Sequence, residues 1–301
     1  MSILPPHFNT IRDMLRLAVT QFNEADLFFG HGTSNAFDEA TWLVLKTLSL
    51  PIDRLDPFLD ARITEEEAGR IYRTLQMRIH ERIPAAYLTN EAWLQGYRFY
   101  VDQRVIVPRS FIAEMIVEQF SPWVLEPDNI ESILELCTGS GCLAIMMADA
   151  FVNAHIDATD LSADALEVAK TNVLQYGLES RINLVRSDIF ADVPRKKYDL
   201  IVTNPPYVTD NSMETLPPEY LHEPRHALAG GADGMDIIRQ IVSNAREYLK
   251  KDGLLIVEVG NEAQNALNAM PELEMAWAIT SGGDDRVFLV RADDLPGSLS
   301  L

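Results

Sequence analysis

The sequence predicts an α/β protein: a mostly parallel sheet covered by helices on both faces, preceded by a small all-helical domain and a β-hairpin linker. Three observations carry this. From residue 109 onward, short apolar runs alternate with helix-period segments, as they do where helical crossovers join parallel strands. Before residue 88, apolar groups recur at helical spacing. Several of the later runs end in glycine, acid or proline, at the sheet edge where open α/β folds bind ligands.

The helical part comes first. Residues 11–29 place Ile11, Leu15, Ala18 and Phe22 on one helix face. Residues 36–49 offer Phe37, Ala40, Leu43 and Leu48 to a core, with Asn35 as N-cap. Thr64-Glu65-Glu66-Glu67 is a capping box opening a third helix to about Arg82, which Pro84 ends. The arginines of that helix (Arg70, Arg73, Arg78 and Arg82) read as a solvated face or a partner-binding surface. Residues 1–88 are therefore one domain. Residues 89–108 change to β-formers, including Trp93, Tyr97, Phe99, Val101, Val105 and Val107, and read as a hairpin linker.

Residues 109–301 are the α/β domain. Arg109 to Phe120 reads as a helix, and strands follow at residues 132–136, 155–160, 182–185, 198–203 and 254–259. Helices are expected from Cys142 to Phe151, from Ala163 to Tyr176 behind a Ser162 cap, and from Met235 to Leu249. Trp277 to Thr280 and Val287 to Arg291 make a final antiparallel pair.

Composition narrows the function. The 301 residues are 47% hydrophobic, with no apolar run long enough to span a membrane. Met1 to Thr10 lacks the basic start and apolar core of a secretion signal. Cys137 and Cys142 read as small buried residues in a reducing cytosol, without the second pair that a structural zinc site requires. His222 and His226 flank Pro224, which opposes a helical metal pair; no metal is expected. Net charge is −20, and it is uneven: residues 1–108 hold 11 basic and 14 acidic side chains, the remainder 14 and 31. So acidic a body argues against broad contact with nucleic-acid phosphates and suits a basic protein partner, although acid serves solubility too.

The chemistry centres on Asn204-Pro205-Pro206-Tyr207, directly after the strand at 198–203. Neither proline can donate to a ladder, so the strand stops in a stiff turn. Asn204 offers a side-chain carbonyl and Pro205 a backbone carbonyl, two acceptors that suit the two N–H donors of a planar –NH2 group. Tyr207 can wall the flat face of that group. Such groups occur on glutamine amides and on nucleobase amines. Asn-Pro-Pro by itself is equally compatible with an ordinary proline-stopped loop.

The cofactor site is read from Glu135-Leu136-Cys137-Thr138-Gly139-Ser140-Gly141, a glycine turn between strand and helix. Ala144 stands where the third glycine of a dinucleotide fingerprint would be. Asp160 ends the next strand, where an acid can bind ribose hydroxyls. Asp188 ends the one after, beside Ile189. Each acid alone is as readily a helix cap or surface group; together with the two turns they form one ligand-sized constellation.

That order of motifs closely resembles class I S-adenosylmethionine-dependent methyltransferases acting on planar nitrogen, over roughly Phe99 to Val290, with a Rossmann-like, seven-stranded fold. With the helical domain and hairpin, nearly the whole chain resembles the protein-glutamine methyltransferases. Phe99-Tyr100-Val101-Asp102, Val107-Pro108-Arg109-Ser110, Cys137-Thr138-Gly139-Ser140-Gly141-Cys142, and Glu219-Tyr220 with His222-Glu223-Pro224 resemble the branch acting on the third large-subunit ribosomal protein. Phe111 departs from the proline usual there. The sister branch acts on class I release factors; release factors and nucleic-acid amines are the alternative substrates. The resemblance implies S-adenosylmethionine as cofactor, with S-adenosylhomocysteine as product. It places Glu135 and the glycine loop (Cys137, Thr138, Gly139, Ser140 and Gly141) at the methionine moiety, Asp160 at the ribose, Asp188 and Ile189 at the adenine, and Leu161 and Ser187 in the same cofactor site. Asn204, Pro205, Pro206, Tyr207 and Arg109 meet the substrate, Asn204 also adjoining the cofactor, and Asn204, Pro205 and Tyr207 are the catalytic set. It further implies a cytoplasmic enzyme meeting its ribosomal protein before or during subunit assembly.

Overall fold

The computed structural model describes residues 9–296. The reading of the N-terminus as lacking a secretion signal lies, but for residues 9 and 10, outside them. Two compact units are present, one of residues 9–92 together with Pro217–His222, the other of Trp93–Leu216 and residues 223–296.

In the first unit, α1 (Ile11–Glu24) begins at a Thr10–Asp13 capping box and buries Ile11, Leu15, Ala18 and Phe22. The apolar pattern runs to residue 29, but the helix ends earlier. Asp26 turns left-handed (φ 49°) and Leu27 N–H closes onto the Phe22 carbonyl at 3.2 Å, a C-terminal stop. Asn35 caps α2 (Ala36–Thr47). Ala40 and Leu43 are in the core, whereas Phe37 is 51% exposed and Leu48 half-buried. Phe37 sits in the first turn, off the stripe that Ala36, Ala40 and Leu43 pack inward. A Thr64–Glu67 capping box opens α3 (Glu65–His80).

The arginine face is the main correction in this unit. Arg70 and Arg73 are exposed, but Arg78 is 1% exposed. Its Nε donates to Glu39 Oε1 at 2.6 Å, its Nη1 to Glu219 Oε1 at 3.0 Å and its Nη2 to the Phe28 carbonyl at 2.8 Å. Arg82 also reaches Glu219 at 3.3 Å. Glu219 lies 141 residues along the chain from Arg78, so no local pattern could pair them. After Pro84 the chain makes α4 (Ala85–Thr89), which Asn90 ends at φ 51°.

The hairpin is shorter than the run of β-formers. β1 (Ala92–Leu94) and β2 (Tyr97–Phe99) pair around Gln95-Gly96, both at positive φ, as a two-residue hairpin turn requires. Val101, Val105 and Val107 are buried outside any strand. Asp102 binds the Arg104 N–H and guanidinium instead, a local bond that competes with strand pairing.

The second unit is built on a seven-stranded sheet. Its strands are β3 (Ser132–Leu136), β4 (His155–Asp160), β5 (Ile182–Arg186), β6 (Tyr198–Thr203), β7 (Leu249–Glu258), β8 (Ala276–Trp277) and β9 (Val287–Arg291). The order is β5-β4-β3-β6-β7-β9-β8; the first five are parallel, and β9 runs antiparallel to both neighbours. The connecting helices are α5 (Ile112–Val117), α6 (Cys142–Ala150), α7 (Ala163–Tyr176), α8 (Asp210–Met213), α9 (Asp236–Ala245) and α10 (Ala263–Ala269). Residues 143–148 of α6 are all buried, as befits a helix apolar on every side. α9 packs Ile238, Ile241, Val242 and Ala245 against β7 and β9.

Helix α5 covers only the middle of the expected 109–120. Phe111 and Ile112 turn their N–H groups to Glu258 at 2.9 and 3.4 Å, and Gln119 and Phe120 take positive φ. The helix expected over 235–249 stops at Ala245, and Leu249 already belongs to β7. α8 and α10 are short and were not legible in the pattern. Among the described residues no helix is long and apolar enough to cross a membrane.

Candidate active site

Strand order creates the site. The chain runs outward from β3 through β4 to β5, then returns to place β6 on the other side of β3. Between β3 and β6, the two connections leave in opposite directions and open a crevice at the carboxyl edge. Register aligns what borders it. Leu136 pairs with both Thr159 and Thr203, so Cys137, Asp160 and Asn204, each the next residue, emerge together.

The glycine turn is held from several sides. Thr138 N–H donates to the Thr159 carbonyl at 2.9 Å, and Gly139 N–H to Asp160 Oδ2 at 2.9 Å. The other Asp160 oxygen accepts from Ser162 N–H at 2.9 Å, at the start of α7. Asn172, fully buried on α7, donates to the Ser140 carbonyl at 2.8 Å and to Tyr100 O at 3.0 Å. Gly139 and Gly141 have φ of 56° and 78°. A Cβ on Gly141 would come within 3.2 Å of Ala169, whereas one on Gly139 would meet nothing within 4 Å. Gly139 thus leaves open space where a ligand can approach the backbone.

A cleft open to solvent lies over this edge. Of the residues singled out in the sequence, Cys137, Gly139, Asp160, Leu161, Ser187, Asp188, Ile189, Asn204 and Pro206 line it. Glu135, Thr138, Ser140, Gly141, Pro205, Tyr207 and Arg109 do not. Glu135 lies beneath the turn, 1% exposed, accepting the Thr138 hydroxyl at 2.6 Å; burial pushes its carboxyl up to about 8. Thr138, Ser140 and Gly141 are buried as the inner side of the turn. Cys137 is half-buried and Cys142 buried, both as free thiols that burial pushes up to about 12. Burial also raises Asp160, against the backbone N–H groups of Ser162 and Gly139.

At the other wall, Pro205 and Pro206 are buried and Asn204 is half-buried. Asn204 Nδ2 donates to the Arg109 carbonyl at 3.3 Å. Because that carbonyl can only accept, the amide is oriented, and Oδ1 is the atom left to accept from a ligand. The Arg109 guanidinium is engaged by Glu223 at 2.5 and 2.6 Å. Tyr207 packs on the cluster beneath α9. A Cβ at Gly260 would fall 2.5 Å from the Tyr207 ring, and one at Gly230 or Gly234 would strike the backbone of Pro206 and Tyr207. These glycines let two chain segments, 230–234 and the one at Gly260, close on the Asn-Pro-Pro-Tyr turn.

Sequence reasoning missed Arg104, Val105, Ile106, His226 and Ala227, which also line the cleft. They lie outside the strands and α-helices, and only folding brings them here. The three glycines at 230, 231 and 234 were the available signal for close packing. The His222 ring is bonded to the Glu81 carbonyl at 2.7 Å. Among the described residues no cluster of three or more His, Cys, Asp or Glu is placed to hold a metal.

Fold and crevice together define a class I methyltransferase. The family described as Methyltransferase small domain matches residues 123–231. The catalytic domain of hMettl16, solved in complex with MAT2A 3'UTR hairpin 6, shares the fold with a TM-score of 0.51 at 12% identity, over 78% of this chain and 84% of that one. A ribosomal protein uL3 glutamine methyltransferase of Burkholderia pseudomallei (strain K96243) is 54% identical over 303 residues, 98% of this chain and 99% of the relative. One of the same name from Bordetella pertussis is 51% identical over 95% of this chain and 96% of its own length. The chain belongs to the ribosomal protein uL3 glutamine methyltransferase family.

Proposed function

We propose that this protein transfers a methyl group from S-adenosylmethionine to the side-chain amide nitrogen of a glutamine in ribosomal protein uL3. The orientation of Asn204 carries the reading. With Nδ2 committed to the Arg109 carbonyl, Oδ1 is available as an acceptor at the cleft wall, the polarity that an acceptor –NH2 requires. The relatives' shared name supplies the substrate.

The lining of the cleft suits the cofactor. Gly139 leaves its backbone approachable, Asp160 and Leu161 would meet the ribose, and Ser187, Asp188 and Ile189 the adenine. Glu135, Thr138, Ser140 and Gly141 would support the methionine end by shaping the turn. When bound, the cofactor supplies an electrophilic sulfonium methyl. The chain's own task is to present the nucleophile. An amide nitrogen is weakly nucleophilic because its lone pair is delocalised. Asn204 Oδ1 and the Pro205 carbonyl would hold both of its protons, aim it, and favour the positive charge that develops there. Tyr207 would wall the amide plane. One N–H proton then leaves to water, and no general base is assigned.

Residues 1–88 would recognise the protein substrate, 89–108 link, and 109–301 catalyse. The enzyme would act in the cytoplasm on uL3 before or during large-subunit assembly. The test is incubation with labelled cofactor and purified uL3, a class I release factor, or protein-free RNA, followed by mapping of the label. Label on a uL3 glutamine supports the reading; preferential label on release factor or RNA replaces it.

A further inference from the structure

We infer that Glu223 is a positioning residue for the acceptor grip, acting through Arg109 to hold Asn204 in its competent orientation. This rests on the reading of Asn204 as the contact to the acceptor amide.

The Glu223 side chain has no exposed surface, whereas that of Arg109 is 31% exposed. The pair is a two-point fork, Nη1 to Oε1 at 2.5 Å and Nη2 to Oε2 at 2.6 Å. Glu223 Oε1 also accepts Val107 N–H at 2.9 Å, and Arg109 Nη1 returns to the Val107 carbonyl at 3.1 Å. One carboxylate therefore grips the chain on both sides of Pro108, which has no N–H of its own to anchor the turn. A bidentate fork fixes direction as well as distance, which a single-point ammonium contact cannot do.

What the fork holds in place is the Arg109 carbonyl. A terminal amide can exchange its oxygen and nitrogen by half a turn at little cost, and the two orientations differ completely in function. In the observed one, Nδ2 faces the Arg109 carbonyl and Oδ1 can accept from the substrate. In the reverse one, Oδ1 would face a carbonyl oxygen and Nδ2 would face the donors of a substrate –NH2, so neither contact could form. The position of the Arg109 carbonyl selects between them. Ser110, Phe111 and Ile112 are held on the far side by Glu258, and the Arg109 guanidinium by the Glu223 fork.

The experiment compares the parental enzyme, Glu223→Gln, Asn204→Ala and the double variant with uL3 and S-adenosylmethionine. Gln keeps the shape and one acceptor but loses the charged fork. Its kcat should fall on the order of 10²-fold, the cost typical of a misplaced catalytic group, with cofactor affinity by calorimetry unchanged. In the Asn204→Ala background the same substitution should cost little more, because both act on one contact. Glu223→Asp, which retains the charge, should recover part of the loss. A parental kcat in folded Glu223→Gln overturns the inference; so do additive losses in the double variant, or parallel loss of cofactor binding. If Glu223→Gln does not fold, Arg109→Lys removes the fork while keeping the charge and should show the same loss confined to kcat; a parental kcat there also overturns it. Failure of the underlying reading is seen separately, as a parental rate in Asn204→Ala alone.

Discussion

Gly139 N–H donates to Asp160 Oδ2 at 2.9 Å, so the acid that ends β4 also fastens the glycine turn that follows β3. Both lie in the cleft. Asp160 thus fastens the turn through Gly139 N–H and the start of α7 through Ser162 N–H while lining the cleft proposed for the cofactor, and its removal should disturb both roles. Asp160→Ala is expected to weaken S-adenosylmethionine binding by more than tenfold, the scale of one lost hydrogen bond to a charged group (about 1.5–3 kcal/mol), with the protein still folded by circular dichroism. Calorimetry showing parental affinity would remove Asp160 from the cofactor site.

Asn204→Ala should lower methylation of uL3 by roughly 10²–10³-fold, as expected for a lost aligned polar contact to developing charge, while cofactor affinity stays near parental. Asn204→Asp is sharper. It keeps an acceptor oxygen, but when ionised it cannot donate to the Arg109 carbonyl and so loses the bond that orients the side chain. The added negative charge close to a sulfonium is expected to tighten cofactor binding while transfer fails. Single-turnover rates and binding isotherms measured on the same preparation separate the two effects.

Arg78 is buried between Glu39 and Glu219. Burial raises the Glu39 carboxyl despite the guanidinium; at Glu219 burial is also the largest single influence, but the Arg78 bond and charge together with backbone N–H groups outweigh it and lower the carboxyl. Arg78→Ala would remove the guanidinium paired with buried Glu39 and the closer of the two paired with Glu219, and would take away the donor to the Phe28 carbonyl. Loss of about 3–5 kcal/mol is expected, the range for breaking a buried pair, read by urea denaturation. Arg70→Ala, at an exposed position on the same helix, should change stability by less than about 0.5 kcal/mol. Equal effects would mean that the ion-pair network does not anchor this unit.

Glu258, at the end of β7, is 2% exposed, and burial pushes its carboxyl up to about 7 against the bonds from Ser110, Ile112 and Phe111. A carboxyl raised on folding holds its proton more tightly in the folded state than in the unfolded one. Its contribution is therefore most favourable below the ordinary carboxylate range, and is lost as pH rises through the folded value near 7. Glu258→Gln, which does not titrate, should flatten the fall in stability between about pH 4.5 and 7 by on the order of 3 kcal/mol. Parallel stability–pH curves for parent and variant would assign the dependence to other groups.

Local chemistry is legible without the fold. Strands β3, β4 and β6 and helix α7 begin and end where periodicity, caps and prolines place them, because each depends on residues a few positions apart. The cleft-lining acids and the Asn204 turn were readable for the same reason: each closes a strand whose register is set by its own apolar run. Tertiary structure decided what depends on distant partners. Arg78 reads as surface until Glu219 arrives from another part of the chain. Residues 109–111 read as helix until Glu223 and Glu258 take their side chains and N–H groups. In each case a buried charge satisfied across more than 100 residues of chain outweighs the local preference, since an unpaired buried charge costs more than a turn of helix is worth. The orientation of Asn204 belongs to this second group: residue type supplies both an acceptor and a donor, and only the Arg109 carbonyl, 95 residues earlier, takes up the donor and leaves Oδ1 to accept.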